Sequence, residues 1–189
     1  MKPIPPLALI AALIGPPVCA DPLPVAGAFD IILMEPDATE HVVGTVSVFT
    51  ADPGTFTYRI DWDDSKFSDQ FLSMRPFKCL DGPKKQWCRV PYPYDIRRQV
   101  SPDDLTDLEY DLLFIWKNRN DYGIDMWNGV YYKLEQTHVG LGGLMHEMDM
   151  DILSAPPDDG NLRPIGPFDL EPADPDSHWL PVLELRPRP

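Results

Sequence analysis

Residues 144–153 read LMHEMDMDIL, and three of them have the chemistry and spacing to hold a soft metal. Side chains alternate along an extended strand, so His146, Met148 and Met150 share one face with Ile152, while Glu147, Asp149 and Asp151 share the other. An imidazole with two thioethers suits Cu(I). Packing competes with that chemistry, because methionine fills irregular cores and Ile152 continues the same face as an apolar stripe. Packing is the reading adopted, so no metal or cofactor is expected, and copper handling stands as the alternative. The three carboxylates opposite are too few for Ca²⁺, which takes six or more oxygens, and read as a solvated face.

The second chemical candidate is KCLDGPKKQWC, residues 78–88. Cys79 and Cys88 are separated by eight residues, not by the two of thioredoxin-like redox pairs and zinc knuckles. Asp81-Gly82 between them suits a turn joining antiparallel arms. The pair therefore reads as a structural disulfide across a hairpin, and so small a loop is worth about 2–3 kcal/mol.

The same region is basic in an acidic chain. From Arg75 to Arg98 lie Arg75, Lys78, Lys84, Lys85, Arg89, Arg97 and Arg98, against only Asp81 and Asp95, in a protein of net charge −14. Trp87 and other aromatic residues are interleaved, and arginine with tryptophan is the composition of interface hot spots. Arg75, Lys78, Lys84, Lys85, Trp87, Arg89, Arg97 and Arg98 are thus a candidate interaction patch. Its competitor is an ordinary hairpin with aromatics inside and charges outside.

Catalytic signatures are absent from the sequence: it has no G-x-S-x-G, no H-E-x-x-H and no glycine loop opening a capped helix. An unrecognised hydrolase recruiting a serine near His138, His146 or His178 is the third reading. The negative charge disfavours nucleic acid.

The elements that must position these residues read as β. TFTYRIDW alternates cleanly, with Phe56, Tyr58, Ile60 and Trp62 on one face. In HVVGTVSVF the alternation assigns Val42, Val46 and Val48 to one face. SPDDLTDL predicts the one helix, near 102–108, with Ser101 as cap and Pro102 in the first turn. LGGLMHEMDMDIL predicts one long or bulged strand, Gly142 and Gly143 marking the bulge. HWLPVLEL is the expected last strand of a proline-rich, extended segment, 155–189. The expectation is an all-β chain of about 8–10 short strands, a single antiparallel barrel or sandwich, with the barrel preferred because closure removes edges.

The N-terminus reads as an export signal over 1–20. Lys2 precedes a short apolar run, then small residues Val18 and Ala20, leaving 21–189 as one β-rich domain. Lipidation at Cys19 is the weaker alternative, since Pro17 and Val18 fit it poorly. No later run of eighteen apolar residues predicts a membrane span. The sequence thus points to an exported, acidic, non-enzymatic binding protein, secreted or periplasmic, that takes a protein partner or a small ligand.

Overall fold

A computed structural model describes residues 26–72, 76–158 and 160–188. Twelve strands form one sheet: β1 (Gly27–Met34), β2 (Glu40–Asp52), β3 (Thr55–Trp62), β4 (Ser68–Phe71), β5 (Pro76–Asp81), β6 (Lys85–Arg89), β7 (Gln99–Val100), β8 (Phe114–Asn118), β9 (Gly129–Gln136), β10 (Leu141–Met148), β11 (Glu171–Pro172) and β12 (Val182–Pro187). All pairings are antiparallel, in the order β4-β5-β6-β8-β9-β10-β12-β1-β2-β3-β7, with β11 on β10. One short helix, α1 (Thr106–Asp111), packs beside β7 and β9. The all-β expectation is met. The preferred closure is not: β4 pairs only with β5 and β7 only with β3, so the sheet is an open, sandwich-like curl rather than a barrel.

The curl has one main core. Phe29, Ile31 and Leu33 of β1, Val46 and Val48 of β2, Trp87 of β6, Phe114 of β8 and Tyr132 of β9 all enter it. A second core lies on the other face of β5, β6, β8 and β9, where Cys79, Cys88, Ile115 and Tyr131 meet Tyr92, Tyr110, Met148, Met150 and Leu153. Neighbours along one strand thus serve different cores, as the two-residue period requires.

Three local expectations are corrected. Val42 is exposed and Val43 buried, because the β1–β2 register shifts between Ile31, opposite Gly44, and Ile32, opposite Val42. Val43 is the extra residue of a bulge, which flips the alternation on its N-terminal side. The helix starts at Thr106 rather than 102, since Ser101 and Asp104 exchange backbone bonds of 2.9 and 3.2 Å in a tight turn and the Asp104 carboxylate accepts from the Thr106 N–H. Finally, β10 pairs with β9 without a bulge and ends at Met148. The Asp149 carboxylate then accepts from the Asp151 N–H and opens a 3₁₀ turn, Met150–Leu153, so Met150 leaves the strand face that His146 occupies.

Candidate functional site: a cleft beyond the disulfide

β5 and β6 are joined by the Cys79–Cys88 disulfide, whose residues face one another directly across the ladder. That rung is the last one. Before Cys79, Phe77 and Lys78 pair with Gln70 and Asp69 of β4, whereas Arg89 pairs with Phe114 of β8 and the Val90 N–H donates to the Leu113 carbonyl at 3.0 Å. The two strands therefore part immediately past the disulfide. The chain after β6 cannot continue a ladder, because Pro91 and Pro93 lack N–H groups. It crosses the outer face instead, where Tyr92 packs edge-on to Tyr94 and Tyr110, and the Tyr92 and Tyr94 hydroxyls donate to the Leu162 and Leu153 carbonyls.

A cleft of about 480 Å³ opens between the parted strands. Residues 76–78 form one wall and residues 89–93 the other; Ile115, Met150 and Leu153 line it from the second core, with Ile124 and Met126 from the following loop. The lining is apolar except for Lys78 and Arg89. Lys78 is paired with Asp69 at 3.0 Å. Arg89 stacks on Trp62 with its guanidinium 4.2 Å from the ring centroid, and its nearest carboxylate, Asp64, is 3.7 Å away. A volume in the range of about 300–1,000 Å³ with apolar walls and few charges is the usual make-up of a small-molecule site.

The cover over the second core is fastened by α1. The Asp107 carboxylate accepts from the Gln99 N–H and from Arg163. Glu109, fully buried, accepts from the Leu134 N–H at 2.7 Å, from Lys133 and from the Tyr131 hydroxyl. Asp111 accepts from the Tyr58 hydroxyl at 2.8 Å and from Arg98 at 3.0 Å. Burial, with the nearby carboxylates, pushes the Tyr58 and Tyr131 hydroxyls far up, so both remain donors.

The residues singled out from sequence are dispersed. Trp87 is buried in the main core and donates to the Tyr132 hydroxyl at 3.1 Å. Lys85 lies 4.0 Å over the Trp116 ring and donates to the Ser177 carbonyl. A Cβ at Gly82 would lie 2.7 Å from the Trp179 ring, so the hairpin turn is packed under the C-terminal segment. Lys84 and Arg97 are exposed, Arg98 is tied to Asp111, and Arg75 lies outside the described residues. Only Lys78 and Arg89 of the patch reach the cleft. Met148 and Met150 are buried in the second core, while His146 is set near the surface with Nδ1 3.1 Å from the Leu144 carbonyl. Among the described residues no three His, Cys, Asp or Glu side chains cluster as metal ligands, and no serine hydroxyl bonds to His138, His146 or His178. Nor does any described helix have the length and apolarity to cross a membrane.

Sequence reasoning missed the cleft because its lining comes from five separated stretches. The divergence itself had a local signal: a disulfide followed within five residues by two prolines. Comparison with models of known families, with curated proteins and with solved structures found no match.

Proposed function

We propose that this protein is an exported binding protein that holds a small, largely apolar ligand in the cleft between residues 76–78 and 89–93. The observation that carries this reading is the parting of β5 and β6 past Cys79–Cys88, which leaves an apolar hollow of ligand size over a close-packed floor. The disulfide sets the point of divergence and so keeps the cleft's two walls at a fixed spacing. Export is supported by the apolar N-terminal run and by a disulfide, which persists in oxidising compartments.

A direct test is titration with an environment-sensitive apolar dye, which should show saturable fluorescence enhancement. Met126→Trp, which puts a larger side chain on the cleft wall, should abolish that signal while leaving the melting temperature close to wild type. Dye binding that is non-saturable, or indifferent to Met126→Trp, would refute the cleft as the site. A protein partner is the second reading, favoured by the fully exposed Tyr122 and the largely exposed Trp127, which flank the loop carrying Ile124 and Met126. A partner lost on Tyr122→Ala with Trp127→Ala, alongside an inert dye, would favour it.

A further inference from the structure

Beside the apolar cleft, and sharing Arg89, Val90 and Pro91 with it, lies a second hollow of about 300 Å³. It sits at the seam where the sheet fails to close. β3 pairs with β7 only at Phe56 and Thr57, so from Tyr58 to Trp62 its side away from β2 has no strand partner among the described residues. Tyr58, Arg59, Ile60 and Trp62 form one wall, and Arg89–Pro91 with Leu113 form the other. In a chain of net charge −14, this crevice is lined by three arginines, Arg59, Arg89 and Arg98, and by one carboxylate, Asp111.

The three cations are not equivalent. Arg59 is held by Asp61 at 2.9 Å and Arg98 by Asp111 at 3.0 Å. Arg98 also sits at φ 50°, an uncommon conformation for a residue with a side chain, and the next residue's N–H donates to Asp107 of α1. Arg89 has no such partner. Its side chain is 19% exposed, its guanidinium makes no hydrogen bond among the described residues, and Asp64 at 3.7 Å is beyond hydrogen-bond reach. Burial pushes Arg89 down to about 10, which still leaves it charged at neutral pH. Arg89 is thus a half-buried cation whose donors no protein acceptor fills among the described residues, and a planar guanidinium fork fits a two-oxygen acid group.

We propose that the ligand is an amphipathic anion, its chain in the apolar cleft and its acid group in the arginine crevice, bidentate on Arg89. This rests on the cleft reading above and adds to it the class of ligand. The apolar dye needs only the cleft; the acid group needs the seam.

The test compares dodecanoate with dodecanol on the full chain at neutral pH and low salt, with inorganic sulfate as competitor. Dodecanoate should bind about tenfold or more tighter than dodecanol, the scale of a charge-assisted bidentate pair. Arg89→Lys, which keeps the charge but loses the fork, should erase most of that preference. Arg59→Gln, an exposed change that leaves the Trp62 stack alone, should reduce it in a correctly folded protein even if Arg89 variants misfold. Sulfate should weaken dodecanoate but not dodecanol. Equal binding of acid and alcohol would overturn the inference while leaving the cleft reading intact. Sulfate binding without any preference for the acid would make the crevice a site for free anions and also overturn it. If neither amphipath binds, both readings fail.

Discussion

The two halves of the sheet solve burial differently. In β1 and β2, Phe29, Ile31, Val46 and Val48 face the main core, while Asp30, Thr45 and Ser47 between them are half-exposed. In β6 and β8 both sets are buried: Trp87 and Phe114 inward, Cys88 and Ile115 outward. The first half reads as alternation, the second as the continuous run LLFIW, as expected of strands covered on one face or on both. What covers the outer face of β6 and β8 is not a second sheet but irregular chain: residues 90–98, the 3₁₀ turn at Met150–Leu153, and Ile165. Regular layers interdigitate; irregular cover leaves gaps. The cleft is such a gap, placed where β5 and β6 diverge.

The largest effect should come from the fastening of that cover. Glu109→Ala leaves the Tyr131 hydroxyl and the Leu134 N–H buried without their acceptor and should cost about 3–5 kcal/mol in urea unfolding. If Glu109→Ala unfolds like wild type, α1 does not hold the cover. Ile115→Ala, on the outer face of β8, should cost about 2–5 kcal/mol, because that face is a true core. A loss below about 0.5 kcal/mol would reduce the second core to surface. Cys88→Ser should cost about 2–3 kcal/mol and also loosen the cleft walls, so dye affinity should fall with stability.

A smaller, pH-dependent effect belongs to the main-core face of β6 and β8. His178 is nearly enclosed between Trp87 and Trp116, with Nε2 3.2 Å from Glu147 and Nδ1 unpartnered. Burial lowers it from 6.5, Lys85 acts in the same direction, and Glu147 and Asp174 oppose. The unfolded chain therefore takes up the proton first on acidification. Stability should decline as pH falls below 6.5 and level off below the depressed native value. His178→Phe should flatten that slope, and an unchanged slope would assign it to other groups. The smallest effect is the matching control, Ser47→Ala on the outer face of β2, which should stay within about 0.5 kcal/mol.

Much of the sheet was legible because its signals are local. The alternation in TFTYRIDW is β3, with Tyr58 in the core and Phe56, Ile60 and Trp62 packed against it, and the cysteine spacing marks the hairpin. Val42 misled because a bulge is decided by register with the neighbouring strand, which one strand's pattern does not encode. Ser101 and Pro102 misled because a turn uses the same residues as a helix cap. Met150 misled because an aspartate side chain that caps a 3₁₀ turn looks, in sequence, like one more outward-facing residue of a strand. The basic run did contain Lys78, Arg89 and Arg98, yet Arg59 joins the crevice only because the sheet curls, and nothing near residue 59 announces it. Barrel closure was expected from the need to hide edges; here β3 leaves an open edge lined by arginines instead, and charge on an edge also discourages pairing with another chain.

The proposed ligand site is the outer face of the doubly covered half, in the gap its irregular cover leaves. Backbone amide NMR during a dodecanoate titration tests it most directly. Saturable shifts confined to residues 77–78, 89–90, 92, 115, 124–126 and 150–153, extending along the seam to Arg59 and Arg98, are the predicted result. Shifts centred instead on the outer face of β1, β2 and β12, or shifts that never saturate, would contradict it.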